Sequence, residues 1–278
     1  MRKQELIIRL NAKTREERLS AARALRAFMD SGEIVVPEKA GYTNNHVHTT
    51  FSFSPYSPTK AVWMAVMSGL STVGIIDHDA VCGAEEFIEA GKILGIPTTI
   101  GFEIRTDWSN TPLAGRRINN PDQVSSAYIC AHGLAHTQIA KADNYLKKIR
   151  AARAKRNREM TRRLNAVLEP FDIAMDYDAD IVPLSCAAFG GEVTERHILF
   201  ALAGKLIDKF GKGGALVSFL SGPLGIGLSD KQKALLANPD SDIYAYDVLN
   251  VLKGGFVERF YIDPETDETP DVREAVAL

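Results

Sequence analysis

The 278-residue chain contains no apolar run long enough to span a bilayer, and its opening MRKQELIIRLNAKTREER lacks an apolar stretch ending in a small-residue cleavage site. Both absences lead to the expectation of a soluble, cytoplasmic protein with no membrane partner. Cysteine is scarce. Cys82, Cys130 and Cys186 are odd in number, far apart and form no CxxC, so neither a disulfide framework nor a thiolate metal site is expected. Excess charge is lacking too: 33 Lys+Arg against 35 Asp+Glu leave −2, so no whole-molecule field draws the chain to nucleic acid or a lipid surface. There is no internal repeat and no low-complexity tract. What is present is an ordinary globular composition, 45% hydrophobic and 24% charged, which excludes wholesale disorder.

Hydrophobic periodicity organises the chain. Residues 14–31 read as an amphipathic helix with Leu19, Ala22, Leu25 and Phe28 on one stripe and Gly32 as its stop. From residue 43 the pattern alternates. A strand is expected at 43–48, a helix at 58–69 with proline near its start, a strand at 71–77, a helix at 83–94 and a strand at 97–103. This βαβαβ rhythm, with nearly continuous apolar strands, predicts a parallel sheet covered by helices. A polar stretch over 106–125 reads as a long functional loop, 126–131 as a fourth strand, 138–168 as an interrupted helical stretch and 194–206 as a further helix. Beyond that, glycines punctuate short segments. The expected division is an N-terminal helical extension (1–40), a sheet region (41–137), a helical insertion (138–210) and a remainder (211–278).

Histidine placement is the informative feature. His46 and His48 flank Val47 in the first strand, and side chains at i and i+2 of a strand share a face, so both imidazoles can hold one ion. Asp77-His78-Asp79 follows the second strand, Glu103 ends the third, and His132 and His136 follow the fourth. Polar ligands at successive strand ends occupy the place where α/β folds keep their active sites. Taken singly, the HxH could be two polar strand residues, the DHD turn a helix cap and Glu103 any strand-end carboxylate. Their recurrence at consecutive strand ends points instead to a metal centre with nitrogen and oxygen ligands.

The motifs HVHTTFS, IIDHDA and GFEI resemble those of the PHP (polymerase and histidinol phosphatase) domain, HxHTxxSD, TDHD and a strand ending GxE. RAKRNREMTRRL and VTERHILFALA resemble the Arg-rich helix and the TR-x-H-x-A-x-x-L helix of its RNase-AM-like branch. The resemblance implies a distorted TIM-like (β/α)7 barrel holding two or three divalent ions (Mn, Zn or Fe, with Mg as an alternative). On it, His46, His48 and His78 are metal ligands and Glu103 is a bridging carboxylate; Asp79, which follows His78, is the candidate catalytic group. The implied reaction is hydrolysis of a phosphate ester by a metal-activated hydroxide, on a phosphorylated small molecule, a nucleotide or an oligonucleotide.

The match also has departures. The family's next histidine aligns with Tyr128, which leaves His132 or His136 as a shifted substitute. Phe53 stands where the family has an aspartate, and Pro55, Tyr56, Ser57 and Pro58 imply a rearranged loop over the site. The family's final histidine and aspartate ligands have no counterpart after His197, the last histidine, so the barrel is expected to be C-terminally incomplete. Arg116 and Arg117 in the polar loop, and Arg196 and His197 in the later helix, are the candidate substrate contacts. Two alternatives stand beside the enzyme. One is a truncated or degenerate PHP module that binds metal or a phosphorylated ligand without turnover. The other is a nucleic-acid-binding protein acting through residues 141–163, where ten Lys/Arg face Asp143 and Glu159.

Overall fold

The computed structural model describes residues 2–120 and 123–278; Pro121 and Asp122 of the expected polar loop lie outside the described residues. Two compact units divide the chain. The first comprises 1–152, 185–192 and 265–278, and the second 153–184 and 193–264, so the expected insertion 138–210 is shared between them.

The first unit begins with helices α1 (Lys3–Arg9) and α2 (Arg15–Asp30). Sequence periodicity had not marked the short α1. In α2 the Thr14 side chain accepts from the Glu17 amide while Glu17 reaches back to the Thr14 amide, a reciprocal cap that fixes where the helix starts. The alternating region follows as β1 (Thr43–Val47), α3 (Pro58–Met67), β2 (Thr72–His78), α4 (Ala84–Leu94), β3 (Thr98–Asp107) and β4 (Ser126–His132). Ser57 caps α3, with Pro58 at the first helical position, where a missing N–H costs nothing.

Among the described residues the strands form one sheet in the order β1-β2-β3-β4. The β1–β2 and β2–β3 pairs are parallel, as the βαβαβ rhythm predicts. The β3–β4 pair is antiparallel, so the all-parallel expectation fails at the fourth strand. Its reason is the connection: β3 runs on past Glu103 to Asp107, and the chain returns as a hairpin arm with no crossover helix among the described residues. Gly101 permits the close approach of β4, because a Cβ there would stand 1.9 Å from the Ala131 carbonyl oxygen and 2.8 Å from Ile76 Cδ1.

Alternation along β3 separates two faces. Ile100, Phe102 and Ile104 are buried in a core with Val62 and Trp63 of α3, Phe87 and Leu94 of α4, and Leu19 and Leu25 of α2. Leu6 and Leu10 join the same core, so the N-terminal helices cover the sheet region and share its interior. A buried ion pair fastens them. Arg18 Nε donates to Glu86 Oε1 at 2.8 Å, and that oxygen also accepts from Thr59 Oγ1 at 2.6 Å, joining α2, α3 and α4. The opposite face of β3 carries Gly101, Glu103 and Arg105.

Helix α5 (Ile139–Leu168) runs thirty residues without the expected interruption, its first part in the first unit and the rest in the second. Ala142, Leu146 and Ile149 enter the sheet's core. The second unit adds α6 (Glu195–Phe210), α7 (Gly214–Ser221), α8 (Asp230–Ala237) and α9 (Tyr244–Gly255). The glycine-punctuated region thus folds as helices, and within the second unit Met160, Leu164, Leu202, Leu206, Leu249 and Leu252 are buried. A last short helix, α10 (Val272–Val276), returns to the first unit, where Asp107 N donates to the Pro270 carbonyl at 2.9 Å. No described helix is long and apolar enough to cross a membrane.

Candidate metal centre

The centre begins at an irregularity in β1. Register with β2 shifts between Asn44 and Val47, a bulge that inserts a residue into the edge strand. The His46 amide donates to Asn44 Oδ1 at 3.1 Å within the bulge, so the asparagine stabilises the kink that aims the imidazole. His48 follows, with Nδ1 3.5 Å from Ser52 Oγ. Ser52 in turn donates to Asp77 Oδ1 at 2.7 Å. Asp77 is buried and also accepts from the Thr49 amide and hydroxyl, both at 2.6 Å. Burial raises its pKa although these donors favour the charged form. The first aspartate of the DHD turn is therefore the anchor of the 49–52 loop.

His78 ends β2. The chain then turns through Asp79, whose φ of 47° lies in the left-handed region that Asp tolerates better than most residues. Two backbone bonds hold this turn: Asp79 N donates to the Glu103 carbonyl at 2.8 Å, and its own carbonyl accepts from Arg150 Nη1 at 2.9 Å. The Asp79 side chain is buried.

Glu103 lies opposite His78 in the β2–β3 register. Its Oε2 stands 3.3 Å from His46 Nε2, 3.4 Å from His48 Nε2 and 3.4 Å from His78 Nδ1. His48 and His78 stack with ring centroids 4.6 Å apart. Burial raises the Glu103 pKa; His46 opposes that rise and the Asp79 charge adds to it. Three imidazole nitrogens gathered round one carboxylate oxygen at separations beyond a good hydrogen bond suit a shared cation better than direct pairing. The donor set matches divalent Zn, Mn or Fe.

A second group adjoins the first. Antiparallel β4 places Cys130 opposite Glu103 and His132 opposite Gly101. Ligand atoms of His46, Cys130 and His132 lie within 4.8 Å of one another, as do those of His46, His48 and Glu103. Cys130 Sγ is 3.8 Å from His46 Nδ1. Burial and the Glu103 carboxylate push the Cys130 thiol up to about 11. His132 thus sits beside His46, whereas exposed His136 belongs to no such group among the described residues.

Sequence reasoning overlooked Cys130, because a cysteine outside CxxC carries no signal by itself. The readable clue was SAYICAH, where Tyr128, Cys130 and His132 alternate as His46 and His48 do. Tyr128 stands 5.5 Å from the His78 ring, and its hydroxyl accepts from Arg105 Nε at 3.2 Å. Arg105 was overlooked as well, although it follows Glu103 by two residues on the same face.

The remaining candidates are not members of these two ligand groups. Arg116 and Arg117 are exposed in the loop between β3 and β4. The rearranged 53–58 segment is tied to the N-terminal region, with Asn11 Nδ2 donating to the Pro55 carbonyl at 2.7 Å. Arg196 and His197 open α6 in the second unit. His197 is 3% exposed and its Nδ1 accepts from the Thr194 amide at 3.0 Å, so this ring serves as a helix cap. In the basic stretch, Arg150 pairs with Asp143, Arg158 with Asp178, and Arg162 and Arg163 with Glu159, so much of its charge is neutralised within the fold.

Comparison with known proteins places this geometry. The family profile of the PHP domain matches residues 44–173, the stretch that contains all of β1 but its first residue, β2 to β4 and every residue of the centre. A 5'-3' exoribonuclease of Haemophilus influenzae is 38% identical over 63 residues, 23% of this chain and 23% of that protein. An error-prone DNA polymerase of Nocardia farcinica is 37% identical over 65 residues, 23% of this chain but 6% of the polymerase. The chain therefore matches a quarter or less of the length of these relatives. A crystal structure from Bifidobacterium adolescentis, described as a candidate metal-dependent phosphoesterase, superposes with a TM-score of 0.50 at 21% identity, covering 87% of this chain and 64% of that one. That likeness is one of fold.

Proposed function

We propose, from the match of residues 44–173 to the PHP domain profile, that the protein is a metal-dependent phosphoesterase whose four strands supply the ligand-bearing part of a distorted (β/α)7 barrel. The convergence of His46, His48 and His78 on Glu103 Oε2 is the observation that carries this reading. Those residues, with His132, would hold two or three divalent ions. Such ions supply Lewis acidity toward a phosphoryl oxygen and lower the pKa of water.

The chain's own groups prepare that chemistry. Ser52 and Asp77 hold His48 in orientation, as outer-shell partners of metal ligands do. Asp79, whose charge is felt by Glu103, is the proposed group that takes up and returns the proton. Arg116 and Arg117 are the proposed phosphate contacts, with the bidentate guanidinium geometry that phosphoryl oxygens favour. The substrate class is a phosphorylated small molecule, a nucleotide or an oligonucleotide. The test is hydrolysis of an aryl phosphate, a nucleoside monophosphate and a short RNA, each with added Mn(II) or Zn(II). Turnover that disappears in both Glu103→Gln and His78→Ala supports the reading. Metal bound without turnover on any of these substrates would favour instead a module that binds without catalysis.

A further inference from the structure

We infer that one metal position of this centre has a sulfur ligand, being held by His46, Cys130 and His132. The inference rests on the metal-binding part of the function proposed above and deepens it by assigning the ligand set. Three side chains of ligating type, brought together from two edge strands of the sheet, lie within 4.8 Å of one another. A tetrahedral ion with one sulfur and one imidazole ligand separates those atoms by about 3.5 Å. Cys130 Sγ and His46 Nδ1 are 3.8 Å apart, so a small closing movement brings them to that distance.

His46 stands between the two donor groups. Its Nε2 is directed to Glu103 and its Nδ1 to Cys130. Taking His46 through Nδ1 leaves His48, His78 and Glu103 for a neighbouring ion. Tyr128 sits two residues before Cys130 on the same face, its hydroxyl occupied by Arg105, so the next donors along that face of β4 are Cys130 and His132. Coordination transfers the thiol proton to solvent and leaves a thiolate on the ion. A thiolate among imidazoles selects Zn(II), Fe(II) or Co(II) over Mn(II) and Mg(II). The protein therefore binds one Zn(II) that excess Mn(II) does not displace.

Loading the full chain with Co(II) tests this without relying on activity. The wild type is expected to show a thiolate-to-cobalt charge-transfer band in the near ultraviolet. Cys130→Ser should abolish the band and lower bound metal, and His132→Ala should lower both. The Cys82→Ser/Cys186→Ser double variant should keep the band, which also shows that the remaining thiol lies in a folded site. If the wild type binds cobalt with no thiolate band, or Cys130→Ser retains one, the sulfur ligand is overturned while the phosphoesterase reading stands. If the wild type binds no cobalt at all, both are overturned.

Discussion

Thr49 and Asp77 are joined by two hydrogen bonds of 2.6 Å, one from the Thr49 amide and one from its hydroxyl, which tie the loop after β1 to the end of β2. A buried carboxylate with several donors cannot be replaced by an amide without turning one NH2 group toward them. Asp77→Asn is expected to cost about 1.5–3 kcal/mol of stability, the range for hydrogen bonds to a charged group. Because Ser52 links Asp77 to His48, metal affinity should fall as well. Thermal denaturation with and without Zn(II) checks both, and an unchanged melting temperature would remove Asp77 from its anchoring role.

Glu103→Gln keeps the shape of the side chain and removes the charge that three histidines face. Bound metal should fall by more than the roughly 10- to 100-fold typical of outer-shell changes. Helical content should not change, since Glu103 lies on the face of the sheet opposite the apolar core. Elemental analysis alongside far-ultraviolet circular dichroism reads the two effects separately. Metal content equal to that of the wild type would dismiss the strand-end centre.

Gly101 is required by the approach of β4. An alanine Cβ would lie 1.9 Å from the Ala131 carbonyl oxygen, so the strand must move away. Overpacking of this kind costs about 1–3 kcal/mol, occasionally more. The displaced strand carries Cys130 and His132, so Gly101→Ala should lower the urea midpoint and the affinity for Zn(II) together. A loss of stability with full metal affinity would show that β4 is not needed for binding.

His197 gives the second unit an acid-sensitive element. Burial depresses its pKa to about 4, with Glu195 opposing, whereas an unfolded histidine protonates near 6.5. The unfolded chain therefore binds the proton first as pH falls. The stabilisation from this ring is complete above about pH 6.5, declines as the pH drops and is exhausted below about pH 4, a change on the order of 3 kcal/mol. His197→Gln, which cannot titrate, should differ most from the wild type near neutral pH and less in acid. Urea unfolding at several pH values checks this, and a constant difference would mean that the ring does not titrate with folding.

Local pattern was enough for much of this protein. The β-branched run TVGIID predicts β2 because such side chains suit a strand buried on both faces, and the stripe of Leu19, Ala22 and Leu25 predicts α2 because helical spacing puts them on one side. The HxH spacing and the polar residues after successive strands marked His46, His48, His78 and Glu103 before any distance was known. Other features had no local signature. The reversal of β4 depends on how far β3 extends before the chain returns, and the expected interruption of 138–168 is absent because its apolar residues find packing along the whole helix. Cys130 shows the limit most plainly. A lone cysteine becomes a candidate ligand only when an antiparallel register sets it opposite Glu103 and beside His46, residues separated from it by 27 and 84 positions. Periodicity and residue type act over a few neighbours and are written in the chain; pairing between distant strands is settled by burial of the whole sheet, and only the folded structure records it.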